Sequence, residues 1–337
     1  MKTITLSSNY SYVSGYGIIL ESLLKDLPYN IIPRSYGPIS SRFDEYFNKN
    51  FKYSSDILDL TLLSISNDVD VLNPLLHISF DRRRVLYTMW ESTRVNDLII
   101  EILNKFKCII VPNDYNKINF INQGLNVPVE VVNLFCDTET FVYKAPENRS
   151  KFVFGISNED PRKNIDKVTR CFLKAFKNIK NVELQVKTCG EIKYKNIDSR
   201  IVYTTNKLSK FDLRNWYYNL DVYVSGATCE GWGMMQQESM CCGRPLIYTD
   251  YAGLSEFVNY NNGFEVGYTE VFSTKQWGGF CGKWSEFNEE ELVEKMVYCY
   301  NNKKDVQERG YISSVEAKRF TVNKFINNLT DVINLYI

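Results

Sequence analysis

The chain has 337 residues, and its 40 Lys+Arg are balanced by 40 Asp+Glu, so the formal net charge is zero. Domains of roughly 100–200 residues make about two domains the expectation, and a composition 44% hydrophobic and 24% charged excludes extended disorder. Balanced charge also excludes a whole-chain basic footprint for nucleic acid or anionic membrane, leaving only local patches open. No run of about 18 apolar residues occurs, so no transmembrane segment is expected, and the first residues turn polar too early for a signal peptide. Nine cysteines, most of them in apolar runs such as Cys108-Ile109-Ile110-Val111, read as reduced core thiols of a cytoplasmic protein, with peripheral membrane contact left open.

In chain order, β-branched runs at 3–6, 69–72, 85–88, 108–111 and 129–132 read as strands, separated by amphipathic runs at 16–24, 96–106 and 115–123 that read as helices. The polar, proline-containing stretch 143–149 reads as a linker. A second series follows, with strands at 152–156, 183–187, 201–204, 222–225 and 246–249 and helices at 164–176, 210–218 and 234–242. After Glu289 the pattern is helical, clearest at 289–301 and 323–335. This alternation predicts parallel sheets covered by helices on both faces, that is, two doubly wound α/β domains. The expected limits are 1–146, 147–320, and a C-terminal helix at 321–337 that packs back on the first domain.

The richest segment is Asp221-Val-Tyr-Val-Ser-Gly-Ala-Thr-Cys-Glu230-Gly-Trp-Gly-Met-Met-Gln-Gln-Glu238-Ser-Met-Cys-Cys-Gly243-Arg-Pro245. It reads as a buried strand, a glycine loop, a helix starting near Gly233, and a stop at Gly243 with Pro245 just beyond. Gly231 and Gly233 let the loop bring its backbone close to a ligand, and a helix N-terminus after a parallel strand favours anions. Two acids flank that turn. Read alone, they fit an ordinary salt bridge beside a tight turn as well as they fit a site.

The segment resembles the Glu-x7-Glu motif of retaining nucleotide-sugar glycosyltransferases of family 4, together with its Gly-x-Pro tail and a following Gly253-Leu-Ser-Glu256 turn. The resemblance implies a GT-B fold, two Rossmann-like domains facing a central cleft, and sugar transfer from a nucleotide-diphosphate donor with no obligatory metal and no cofactor. It implies that Glu230 contacts the transferred sugar and Glu238 the ribose. Gly231, Trp232, Gly233, Met234 and Met235 would form the turn that meets the diphosphate or sugar. Phe152-Val-Phe-Gly155 followed by Arg162-Lys163-Asn164 resembles the family's strand and basic pair, except that Asn158 stands where relatives carry Arg. Arg162 or Lys187 is the candidate replacement beside Lys163. Gly15-Tyr16-Gly17 looks like the family's glycine turn beneath the donor phosphate, and Trp90 or Glu91 occupies the acceptor-side position where many relatives have His. The acceptor stays open among a glycan, a lipid-linked sugar, a protein and a modified nucleobase. A non-catalytic nucleotide-sugar binder and an epimerase of the same fold are the rival readings.

Four further features stand outside these motifs. His77 reads as a strand or core histidine, and Asp68-Val-Asp70 as a solvated strand edge rather than a metal motif. Asp81-Arg-Arg-Arg84 reads as a solvated basic turn, with an anionic acceptor or membrane contact as the alternative. The loop from Trp277 to Trp284 is open between sugar stacking and packing.

Overall fold

The computed structural model describes residues 2–11, 15–47, 56–65, 78, 83–157, 160–189, 198–273 and 282–337. The expected strand 69–72, Asp68, Asp70, His77, Asp81, Asn158 and Trp277 lie outside the described residues. The chain divides into two compact units, the first comprising 1–135, 272–283 and 322–337, the second 136–271 and 284–321. The crossing into the second unit, at Cys136, falls seven residues before the proline-bearing stretch 143–149 that reads as a linker. There Cys136 bridges Thr321, and its N–H donates to Phe320 O at 2.9 Å, which fastens the chain to the second unit already.

In the first unit, β1 (Thr3–Ser8) leads to helix α1 (Gly15–Asp26), β2 (Asn30–Ser35) and the single-turn α2 (Asp44–Phe47). β3 (Asp59–Leu62), β4 (Arg84–Tyr87), α3 (Asp97–Leu103), β5 (Cys108–Val111), α4 (Asp114–Asn122) and β6 (Val129–Val131) follow. The strands form one parallel sheet in the order β2-β1-β3-β4-β5-β6. Two of these strands do not announce themselves in the sequence. β2 carries Pro33, which removes a ladder N–H and is tolerated because β2 is an edge strand. β3 opens on Asp59, a residue that argues against a buried strand until its partner is known.

That partner is Arg84. Its Nη1 donates to Asp59 Oδ2 at 2.8 Å and to Tyr36 Oη at 2.7 Å, while Ser7 and Thr61 hydroxyls donate to the same carboxylate. Both charged side chains are 0–1% exposed. The basic run expected at a solvated turn is therefore split: Arg83 is exposed, and Arg84 is a core residue, because a buried strand-start carboxylate needs a cation. The C-terminal helix (Val322–Asn334) belongs to this unit, with Phe325 edge-on to Tyr87 and tilted against Phe135.

In the second unit the strands are β7 (Phe152–Ser157), β8 (Val182–Lys187), β9 (Ile201–Thr204), β10 (Val222–Val224), β11 (Leu246–Tyr248) and β12 (Gly263–Glu265). They form a parallel sheet in the order β12-β11-β10-β7-β8-β9. Helices α5 (Ile165–Ala175), α6 (Lys210–Tyr218), α7 (Met234–Cys241), α8 (Glu289–Asn301) and α9 (Lys303–Ala317) surround it. α5 buries Val168, Cys171 and Phe172 on the face toward the sheet, a helical spacing that drives it onto Phe154 and Phe176. Seven of the eight described cysteines are buried, and all eight are free thiols.

Arg244, fully buried, ties the unit together: its guanidinium donates to the carbonyls of Tyr217, Tyr218, Lys144 and Cys242. A cation among helix-terminal carbonyls is favourably placed. α7 ends at Gly243 (φ 81°), whose carbonyl lies so near α9 that a Cβ on Gly310 would stand 2.4 Å from it. Gly310→Ala should thus force α7 and α9 apart and cost about 1–3 kcal/mol. The measurement is the urea midpoint; an unchanged midpoint would show that the contact yields freely.

Candidate active site

The strand order of the second sheet reverses between β7 and β10, and open α/β sheets bind ligands beyond the carboxyl ends of their strands at such a reversal. The loop leaving β7 (160–164) and the loop leaving β10 (225–233) meet there. Backbone contacts stitch them: Thr228 N donates to Arg162 O at 2.9 Å, and Asn164 Nδ2 donates to Gly226 O at 2.9 Å. Any Cβ at Gly226 would stand 2.8 Å from Lys163 O, so the approach requires glycine. From the other side Gly253 N donates to Glu230 O at 2.9 Å, and Ser285 N and Oγ both donate to Thr228 O.

Glu230 sits at the centre of this arrangement, 5% exposed. Lys163 Nζ donates to its Oε1, Gln236 Nε2 donates to the same oxygen at 2.7 Å, and Arg162 Nη1 reaches Oε2 at 3.3 Å. Burial opposes ionisation, but Lys163, Arg162 and the hydrogen bonds of Lys163 and Gln236 outweigh it and bring the carboxyl down to about 2. Burial and the neighbouring Arg162 push the Lys163 ammonium down, against the pull of Glu230. Arg162 is itself fixed by Asp160 Oδ2 at 3.1 Å and by Cys229 O at 2.7 Å.

Glu238 has a different environment. It is 6% exposed, and Tyr217 Oη donates to its Oε2 at 3.0 Å. Burial raises the carboxyl to about 7; the Tyr217 hydrogen bond and the more distant Lys210 and Lys187 only partly oppose that. Tyr223, whose hydroxyl shares a 2.6 Å hydrogen bond with Ser157, feels both glutamates, and burial drives it upward. Ser157 Oγ also contacts Met235 Sδ at 3.1 Å.

α7 begins at Gly233, φ 101°, without a side-chain cap, and a Cβ there would stand 2.6 Å from Leu254. The first-turn N–H groups of Met234 and Met235 thus open a helix at the end of the same loop. Of the two candidate replacements for the family arginine, Arg162 reaches the Glu230 carboxylate, whereas Lys187, at the end of β8, donates to Cys189 Sγ at 3.1 Å. Trp232 lies at the back of the loop. It is 2% exposed, packed on Phe257 and Phe320, with its indole N–H on Gln237 Oε1 at 2.7 Å, so it braces the loop from behind. In the first unit Gly15, Tyr16 and Gly17 open α1 after β1. Trp90 is likewise a core residue, 3% exposed with its indole N–H on Arg94 O, while Glu91 beside it is half-buried.

Gln236, Tyr217 and Asp160 were not singled out by sequence. Gln236 had one signal, a polar residue inside a helix otherwise destined for burial; Tyr217 had none among the aromatic residues around it.

Residues 154–274 match the family described as Glycosyl transferases group 1, which covers both loops and both glutamates. A search of curated proteins finds no significant match. Among solved structures, sucrose-phosphate synthase from Thermosynechococcus elongatus is similar with a TM-score of 0.73 at 11% identity, over 99% of either chain. A glycosyltransferase from Rickettsia africae gives 0.73 at 13% identity, over 99% of this chain and 98% of that one. The pneumococcal O-GlcNAc transferase GtfA, in complex with UDP and GlcNAc, gives 0.60 at 15% identity, over 82% of this chain and 57% of that one. TarM is similar over 82% of this chain, which spans only 54% of TarM. The fold is GT-B, two parallel six-stranded sheets with flanking helices.

The state of Glu238 has a consequence for stability. In the unfolded chain this carboxyl titrates near its ordinary 4.5, in the folded site near 7. Between those values the native state holds the extra proton, so raising the pH through this window favours unfolding, by about 3 kcal/mol once the window is passed. Glu238→Gln, which stays neutral, should match wild type at about pH 3.5, below the unfolded value, and exceed its stability at pH 8. Urea titrations at both pH values check this; an equal offset at the two would contradict the assigned state.

Proposed function

We propose that the protein is a retaining glycosyltransferase of family 4 that moves a sugar from a nucleotide-diphosphate donor to an acceptor hydroxyl. The observation that carries this reading is the Glu230 carboxylate held by Lys163, Arg162 and Gln236 at the sheet reversal, with a helix N-terminus on the same loop. The group 1 match over those residues supports it.

In this reading the diphosphate lies against Lys163, Arg162 and the first turn of α7, which stabilise the charge that grows as the bond from phosphate oxygen to the anomeric carbon breaks. These fixed cations supply the charge stabilisation, so the reading needs no obligatory metal and no cofactor. The acceptor hydroxyl attacks the same face of the sugar, and its proton passes to the departing phosphate oxygen. The anomeric configuration is thereby retained. Glu230 steadies the positive charge at the anomeric carbon, and Glu238 accepts hydrogen bonds from the ribose. Within the second unit Lys187 and Met235 complete the donor surface; within the first unit the turn at Gly15, Tyr16 and Gly17 is the candidate phosphate turn, and Trp90 and Glu91 are the candidate acceptor-side residues. The acceptor is a glycan, lipid-linked sugar, protein or modified nucleobase, and the free buried thiols suit a reducing, cytoplasmic setting.

A panel of nucleotide sugars, scored for thermal stabilisation and for released nucleoside diphosphate, tests the reading. One donor should do both, and NMR of the product should show the donor's anomeric configuration. Glu230→Ala should lower transfer about 100-fold or more, and Glu238→Ala should raise the donor KM about tenfold. Wild-type rates in both variants would sink the site assignment. Stabilisation without release identifies the non-catalytic binder instead.

A further inference from the structure

Two of the three donors around Glu230 have a second anchor of their own. Arg162 is anchored by Asp160 and the Cys229 carbonyl, and Lys163 belongs to a short 3-10 turn closed by its own N–H on Asp160 O at 2.8 Å. Gln236, 3% exposed, is fixed by a second hydrogen bond from its Nε2 to Ser225 Oγ at 3.1 Å. The carboxylate therefore stands between an anchored guanidinium, an ammonium and an anchored neutral amide. Glu230 Oε1 is shared by Lys163 and Gln236, so a small rotation about its terminal bonds shifts weight from one to the other.

This arrangement presents a conflict for the donor site proposed above, on which the inference rests. A diphosphate seated on Lys163 and Arg162 brings its own anionic oxygens to the two groups that Glu230 already neutralises. Two anions competing for one pair of cations repel at close range, strongest in a buried, low-dielectric setting. Arg162 is anchored by Asp160 and the Cys229 carbonyl, and Gln236 offers the carboxylate a partner that does not compete for phosphate.

We propose that Glu230 is the resident counter-ion of Lys163 and Arg162, displaced from them by an incoming diphosphate, and that Gln236 is the positioning residue that keeps the displaced carboxylate in the site. Before donor binding Glu230 keeps buried Lys163 and half-buried Arg162 neutralised. On donor binding the phosphate takes the cations, and Glu230, now held by an uncharged amide, turns its freed oxygen to the transferred sugar. After transfer the carboxylate competes for the cations again and assists departure of the nucleoside diphosphate.

The test uses inorganic pyrophosphate, which carries the contested charge without base or sugar, titrated calorimetrically in the presence of EDTA. Glu230→Gln and Glu230→Ala should each bind it about tenfold more tightly than wild type. The gain should vanish when Lys163→Met is added, because the competition is for that cation. Gln236→Met, close in volume but without the donor, should lower kcat about tenfold at an unchanged donor KM, with its melting midpoint as the check on folding. Equal or weaker pyrophosphate binding in both Glu230 variants overturns the counter-ion role, and an unchanged kcat in Gln236→Met overturns the positioning role. Pyrophosphate that binds neither wild type nor variants defeats the diphosphate site itself, a result distinct from equal binding to all.

Discussion

A carboxylate stripped of water is tolerated inside a protein only when charge and hydrogen bonds replace what the solvent supplied. Glu230 is such a group, and the surrounding second unit is organised to supply the replacement. Its two cations lie 67 and 68 residues away on the loop after β7, so they cannot be in place unless the sheet is assembled, while Gln236 comes from the first turn of α7. The parallel pairing of β7 with β10 brings the loops together, and the glycine at 226 lets them touch. Site and fold are here one constraint: what aligns Arg162 and Lys163 with Glu230 is the crossover that defines the doubly wound order.

The two units each bury an ion pair, yet to different ends. Asp59 and Arg84 are closed off by Ser7, Thr61 and Tyr36, and both are at most 1% exposed. Both carboxylate oxygens are engaged, by Thr61 on β3 itself and by Ser7 and Arg84 on the flanking strands, which makes the pair a device for register: a slip of β3 against β4 would separate the charges. The pair at Glu230 is built on loops instead, with side-chain exposures of 7–13% and a shared acceptor oxygen. Strands give permanence; loops give a group that can change partner.

How much of this was legible follows from the same distinction. The Glu-x7-Glu segment could be read because it uses residues that solve backbone problems, a Gly at positive φ at the helix start and another at its end. The basic pair at 162–163 could be read because cations are out of place at a helix start. Where burial obscured the pattern, less could be read. The packing of Trp232 and Trp90 was not legible, since an aromatic beside a glycine loop braces it as readily as it lines it, and only the structure shows Trp232 on Phe257 and Phe320 and Trp90 in the first-unit core. β2 was hidden by Pro33, β12 by its brevity and its Gly263, β3 by a charge whose partner lies 25 residues on. α7 is buried from Gln236 to Cys241, so hydrophobic periodicity could not say which way its polar residues point.

Those polar residues divide the helix into two electrostatic environments. Gln236 and Glu238 are two positions apart, about 200° around the helix axis, so they face opposite neighbours. One side meets Ser225 and the cation-held Glu230; the other meets the Tyr217 hydroxyl. The outcome is two glutamates of one motif driven in opposite directions, one to about 2 and the other to about 7. Solvent exposure does not separate them, since both are 5–6% exposed. Partners do: two cations and an amide against a single phenol. A carboxylate of the first kind stays charged throughout any catalytic pH range and can compete as an anion. One of the second kind gains charge cheaply only when further donors arrive, and paired hydroxyls of a ribose are donors of that kind. The motif thus encodes a division of labour through what each glutamate touches, rather than through the spacing that makes it recognisable.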